Sequence, residues 1–166
     1  MREKVLIVDD SIANRKLLSA ILKKEGYELV EAVDGEQAIE LANGELPDLI
    51  LLDIMMPKVD GYQVCETLKG NERTYTIPII FLSATYVTPE DKQFALSLGA
   101  VRFLEKPVDT EELLLTIAEV LTAIPSTGPL PLDQEQFYKG YRDRLESKLR
   151  HKIGQIQRTE RLLETL

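Results

Sequence analysis

Short apolar runs alternate along this chain with stretches of helical spacing, and that alternation limits the fold more than any other feature of the sequence. Runs such as Val5-Leu6-Ile7-Val8 and Leu49-Ile50-Leu51-Leu52 are too short for helices and are bounded by polar residues. They read as buried strands. Strands are expected at Lys4 to Val8, Glu28 to Glu31, Leu49 to Leu52, Ile77 to Leu82 and Val101 to Leu104. Between the first two, Ile12, Leu17, Leu18, Ile21 and Leu22 lie near one face of a helix, which Gly26 can end in a left-handed conformation. Later helices carry start signals: Asp34 with Gln37, Thr88 with Pro89 and Asp91, and Asp109 with Glu112 each pair an N-cap with an acid or amide three residues on. Asp60-Gly61 opens the third helix in the same position relative to its strand. Five strand-then-helix units make an α/β protein with a doubly wound five-stranded parallel sheet, covered by helices on both faces.

Composition narrows the setting. At 166 residues the chain holds one domain of ordinary size plus an appendage. A single cysteine, Cys65, allows no internal disulfide, fits a reducing compartment, and lies in an apolar helical pattern as a core residue. The opening Met1-Arg2-Glu3-Lys4 and its four apolar followers lack the apolar length of a signal peptide, and no stretch reaches the ~20 apolar residues of a spanning helix. The expected location is therefore cytoplasmic, away from membranes. Residues 1–132 carry 12 Lys and Arg against 22 Asp and Glu, whereas residues 133–166 carry 8 against 6. An acidic domain of this kind suits a divalent cation and not a nucleic-acid backbone, so no direct nucleic-acid binding is expected.

The carboxyl ends of parallel strands are where open α/β sheets place their functional groups. Here the first strand delivers Asp9 and Asp10, the third Asp53, the fourth Ser83 and the fifth Lys106. Three crowded carboxylates repel and raise one another's pKa, so the arrangement calls for positive charge. Mg²⁺ and the Lys106 ammonium would supply it, since a few carboxylates plus water and phosphate oxygens are the usual shell of Mg²⁺.

Val8-Asp9-Asp10-Ser11, the loop Asp53-Ile54-Met55-Met56-Pro57-Lys58-Val59-Asp60-Gly61, Ser83-Ala84 and Lys106-Pro107 together resemble the receiver domain of two-component response regulators. The resemblance covers roughly residues 3 to 124 and implies the (βα)5 flavodoxin-like receiver fold. It implies that Asp53 accepts a phosphoryl group from a phosphohistidine on a sensor histidine kinase or a histidine phosphotransfer protein. Asp9, Asp10 and Asp53 would bind Mg²⁺, joined by the backbone carbonyl of Met55. Lys106 would share the charge that develops in transfer, and Ser83 would hydrogen-bond a phosphoryl oxygen. The family's aromatic switch position on the fifth strand falls on Phe103, which lacks a hydroxyl, so any rotamer change would rest on packing. The face made by the fourth helix, fifth strand and fifth helix would then report phosphorylation. Such a chain is a regulatory phosphoacceptor that catalyses only its own phosphorylation and dephosphorylation.

Simpler readings stand beside these. Asp10 and Asp60 are also good N-caps, and for Asp60 the cap is the preferred reading. An aspartate-nucleophile Mg²⁺ phosphatase would also use strand-end acids, but it wants Asp-x-Asp after the first strand, where here the acids are adjacent. A flavodoxin-like cofactor binder would need a Ser/Thr/Gly-rich phosphate loop, and Asp9-Asp10-Ser11-Ile12 would repel phosphate without a metal.

The carboxyl-terminal part divides differently. Residues 1–124 are expected to form the receiver, 125–132 a Pro/Gly-rich linker, and 133–166 a long α-helix capped by Asp133 with Gln136. Tyr138, Tyr141, Leu145, Leu149, Ile153, Ile156, Leu163 and Leu166 recur at steps of three and four with a gap at Glu160. As a continuous rod it would run roughly 50 Å. A narrow apolar stripe on a lone helix needs a partner, so a homodimeric coiled coil or signalling helix is expected, with folding back onto the receiver as the alternative. Gly154 and a stutter after Leu145 weaken a strict heptad. His151, the only histidine, raises the alternative of a hybrid histidine kinase fragment with a second phosphosite, but Arg150-His151-Lys152 lacks the acid that follows a kinase histidine.

Overall fold

A strand that is apolar on both faces is stable only when both are covered, and the arrangement of this chain follows from that need. The computed structural model describes residues 2–84 and 88–123. The linker expected at 125–132 and the helix expected at 133–166, with His151, lie outside the described residues. In chain order the elements are β1 (Lys4–Val8), α1 (Ile12–Lys24), β2 (Glu28–Ala32), α2 (Gly35–Glu45), β3 (Leu49–Leu52), α3 (Gly61–Lys69), β4 (Ile79–Ser83), α4 (Pro89–Ser97), β5 (Arg102–Glu105) and α5 (Thr110–Thr122).

All strands are parallel in the order β2-β1-β3-β4-β5. The chain steps outward from β1 to β2, then returns past β1 and winds the other way through β3, β4 and β5. The winding reverses between β1 and β3, and there a crevice opens beyond the strand ends. Two cores result. One face packs Leu6, Val8, Ile50, Leu52, Ile79 and Phe81 against residues of α2, α3 and α4, with Tyr62 and Phe94 among them. The opposite face packs Val5, Ile7, Leu49, Leu51, Ile80 and Leu82 against Leu18 and Leu22 of α1 and Leu113 and Ile117 of α5. Each fully buried Leu or Ile side chain contributes about 2 kcal/mol by removal from water.

The helix starts fall where the cap residues stand. The side chains of Asp34, Asp60, Thr88 and Asp109 accept from the backbone N–H three residues on, and those of Asp60 and Thr88 complete reciprocal capping boxes. Gly26 follows α1 with φ +91° and donates its N–H to the Lys23 carbonyl. A Cβ there would meet nothing, so the left-handed backbone is what favours glycine at that position.

β2 runs to Ala32, one residue past the expected Glu31, and other details also depart from the sequence expectations. β4 starts at Ile79 instead of Ile77, because the Ile77 N–H bonds to the Thr74 carbonyl in a turn and Pro78 has no N–H to give. It also runs one residue further, so Ser83 belongs to the strand and sits in register with Glu105, while β5 shifts to Arg102–Glu105. On α1 the buried stripe is narrower than its apolar composition, since Ile12 and Leu17 are 61% and 62% exposed. The helix meets the sheet along Leu18 and Leu22, and Leu17 is turned away by one position. Cys65 is buried in the α3 core, where burial pushes its thiol up to about 12, so it stays a neutral packing group.

Candidate functional site

Asp9 directly follows β1, the strand beside the winding reversal. Its N–H bonds to the Ala32 carbonyl, extending the ladder by one step, and its side chain is only 2% exposed. A buried carboxylate needs partners at both oxygens. Oδ1 accepts from the Ser11 N–H at 2.9 Å and Oδ2 from Lys106 Nζ at 2.6 Å. Its main-chain carbonyl accepts from Arg15 Nη1 at 2.6 Å. Asp10, next in the chain, is exposed.

Asp53 occupies the same position after β3, and its N–H bonds to the Val8 carbonyl at 3.0 Å, locking it beside β1. Its Oδ1 accepts from the Ile54 N–H at 2.8 Å. Ligand oxygens of Asp9, Asp10 and Asp53 lie within 4.8 Å of one another. Burial pushes the Asp53 carboxyl up to about 6, with Lys106 opposing, Asp9 adding repulsion, the Ile54 N–H opposing and Asp10 adding a little more.

The loop after Asp53 is held by close backbone approaches. Gly61 stands at the first position of α3, and a Cβ there would lie 2.3 Å from the Asp53 carbonyl oxygen. Only glycine fits. Its N–H donates to the Ile54 carbonyl at 2.8 Å. Gly35, at the first position of α2, makes the same kind of approach to the Val59 carbonyl, at 2.3 Å from an added Cβ. Between them Lys58 adopts φ +68°, and Met55 is half-buried against the core.

Lys106 arrives from β5. Its N–H bonds to the Ser83 carbonyl at 3.0 Å, tying the ends of β4 and β5 together, and its side chain crosses the crevice to Asp9. Ser83 is fully buried, and its Oγ has no hydrogen-bond partner among the described residues. An unpartnered buried hydroxyl at a site is a donor in reserve. Phe103, two residues before Glu105, is half-buried and stacks obliquely on Phe81 with ring centroids 6.0 Å apart.

The structure therefore gathers Asp9, Asp10, Asp53 and Lys106 in one crevice, with Ser83 at the adjoining strand end. Phe103 lies deeper, on the face of the α2, α3 and α4 core. Sequence reasoning missed Arg15 and the two close glycine contacts. Arg15 sits one turn past the Ser11 cap, a spacing that points it back at the loop, but nothing in its composition marks it.

The model of the response regulator receiver domain family matches residues 5–118. The chain belongs to that family. This receiver is 39% identical over 146 residues to the DNA-binding dual master transcriptional regulator RpaA of Synechocystis sp., covering 81% of this chain and 60% of that protein. It is 44% identical over 109 residues to the response regulator PleD of Caulobacter vibrioides, covering 66% of this chain and 24% of PleD. The receiver thus spans less than two thirds of either relative. Among solved structures it is similar to the chemotaxis protein CheY4 of Vibrio cholerae, with a TM-score of 0.68 and 36% identity over 72% of this chain and 99% of that one.

Proposed function

We propose that this receiver accepts a phosphoryl group on Asp53 from a phosphohistidine of a sensor histidine kinase or histidine phosphotransfer protein. The observation that carries this reading is the meeting of three carboxylates within 4.8 Å beside the Lys106 ammonium, at the winding reversal of the sheet. A hard oxygen donor set of this kind fits Mg²⁺, and Asp9, Asp10, Asp53 and the Met55 carbonyl would hold it. When bound, Mg²⁺ neutralises the carboxylates and the charge on the transferring oxygens.

The chain's own groups then do the rest. An Asp53 carboxylate oxygen attacks phosphorus as the phosphorus–nitrogen bond to the donor imidazole breaks, giving an aspartyl phosphate and a neutral histidine after protonation. Lys106 lies within reach of both Asp9 and the incoming oxygens, so it stabilises charge without accepting a proton. Ser83 Oγ donates its unused hydrogen bond to a phosphoryl oxygen. That inward pull loosens the packing over Phe81, and Phe103 responds by rotamer, carrying the change to the α4, β5 and α5 face. Hydrolysis of the same bond by water returns the resting state, so the protein acts as a regulatory phosphoacceptor and turns over only itself.

The division into a receiver over 1–124, a linker over 125–132 and a helix over 133–166 belongs to this reading, as does a homodimer formed through that helix and a cytoplasmic setting. No helix among the described residues is long and apolar enough to cross a membrane. Transcriptional relatives such as RpaA raise DNA as a downstream target. With 12 Lys and Arg against 22 Asp and Glu in residues 1–132, that contact would not be made by the receiver surface.

The test uses acetyl phosphate, or beryllium fluoride, with Mg²⁺. A single adduct on Asp53 seen by mass spectrometry, lost in Asp53→Asn, is the expected result; no adduct, or one that survives the substitution, overturns the proposal.

A further inference from the structure

We propose that Arg15 is a positioning residue for the cation site, fixing the direction of Asp10 by clamping the Asp9–Asp10 peptide. The inference rests on the reading of the acidic crevice as a Mg²⁺ site.

The Asp9 carbonyl lies past the end of the β1 ladder, so no strand can satisfy it, and a buried carbonyl left alone is costly. Arg15 Nη1 takes it at 2.6 Å, the only hydrogen bond of this guanidinium among the described residues. The Arg15 side chain is 11% exposed, and its one acidic neighbour, Glu31 of β2, stands at 3.6 Å from Nε, too far for a hydrogen bond. A largely desolvated guanidinium therefore directs its shortest contact to one backbone oxygen. That oxygen belongs to the peptide leading into Asp10.

The following peptide is clamped as well, since the Ser11 N–H bonds to Asp9 Oδ1. Asp10 sits between two fixed peptide planes. Its own carboxylate takes no hydrogen bond among the described residues, and it is the exposed member of the trio. With nothing holding the side chain directly, the backbone sets where it points. Arg15 controls one plane and Asp9 the other, and Asp9 is itself held by Lys106. Groups outside the ligand shell that orient ligands in this way commonly change metal affinity.

A purely architectural role would look different. Arg15 would then matter as a tether of α1 to β2 through Glu31, and the two substitutions Arg15→Met and Glu31→Gln would act alike. The test is a Mg²⁺ titration of the full chain, followed by amide chemical shifts of Asp10 and Asp53 and by calorimetry, with a thermal melt of each variant without Mg²⁺. Arg15→Met is expected to weaken Mg²⁺ binding about 10-fold, while Glu31→Gln stays within about twofold of the parent because the carbonyl clamp survives. Arg15→Met within twofold of the parent overturns the proposal, and so does an equal loss in both variants. Should Arg15→Met fail to fold, Arg15→Lys takes its place. A single ammonium that retains the charge but not the geometry is expected to bind more than twofold more weakly, and equal binding overturns the clamp. If the parent chain itself binds no Mg²⁺, the cation-site reading falls with it; if the parent binds and Arg15→Met binds as well, only the clamp falls.

Discussion

The two halves of the crevice are built to different standards of restraint. On the β1 and β3 side every polar atom of Asp9 is engaged, by Ala32, Arg15, Ser11 and Lys106, and Asp53 is held between the Val8 carbonyl and the close face of Gly61. On the β4 and β5 side Ser83 Oγ has no hydrogen-bond partner among the described residues, Phe103 is only half-buried, and an exposed pair, Lys92–Glu105 at 2.8 Å, bridges α4 to β5. Exposed pairs of this kind add ~0–1 kcal/mol. The difference teaches that restraint and freedom are separated in space: Asp9 and Asp53, the two inner acids of the proposed cation site, are held by fixed contacts, whereas Ser83 and Phe103, the proposed responders, are less confined.

Four substitutions would break or sharpen this contrast. Gly61→Ala strikes the most constrained point, since its Cβ would fall 2.3 Å from backbone that cannot retreat without moving Asp53. A loss of about 3 kcal/mol or more in denaturant unfolding is expected, and a loss under about 1 kcal/mol would show that the fixed half is softer than described. Lys106→Met removes the cation from buried Asp9 and should lower stability by about 3 kcal/mol at pH 7. A loss under about 1 kcal/mol would show that the bridge contributes little to the fold.

Asp53→Asn works in the opposite direction. The Asp53 carboxyl is held up to about 6 against a usual 3.8, so the folded protein binds this proton more tightly than the unfolded chain does. Its stabilising effect is complete below about pH 4 and is lost as pH rises through about 6, leaving an ionised, crowded carboxylate that destabilises the fold at neutral pH. Neutral asparagine should therefore stabilise the cation-free protein by about 2 kcal/mol at pH 7 and by nearly nothing at pH 4. Equal melting curves at both pH values for parent and variant would remove the claimed strain. The smallest effect belongs to the responsive half. Ser83→Ala deletes a hydroxyl that has no partner among the described residues, so resting stability should change by no more than about 0.5 kcal/mol, while the lifetime of the proposed Asp53 adduct changes; a large loss of resting stability would mean that Ser83 is a structural member after all.

Much of this contrast was readable before the structure. The strand runs, the four cap signals and the acids at strand ends follow from local rules of period and hydrogen bonding, and all fell within one or two residues of their expected places. The extension of β4 to Ser83 was hidden because a register is set by neighbouring strands, which local periodicity does not reveal, whereas the later start at Ile79 turns on the local Thr74 turn and on Pro78. Arg15 and the Gly35 and Gly61 contacts were invisible for the same reason. Each depends on what lies across space: a carbonyl past a ladder end, or a backbone oxygen at van der Waals distance. The exposure of Ile12 and Leu17 shows the limit of composition, since apolar residues on α1 that lie off the Leu18 and Leu22 line stay outside the core.

The bond from Lys106 to Asp9 joins residues 97 apart in sequence. A chain emerging from the ribosome makes its three acids early and their cation late, since β5 follows the other four described strands in sequence. Until that strand docks, Asp9 has no counter-ion and the trio repels itself. If Asp53 is the phosphoacceptor, as proposed, competence to receive a phosphoryl group would thus wait on the segment that carries Lys106.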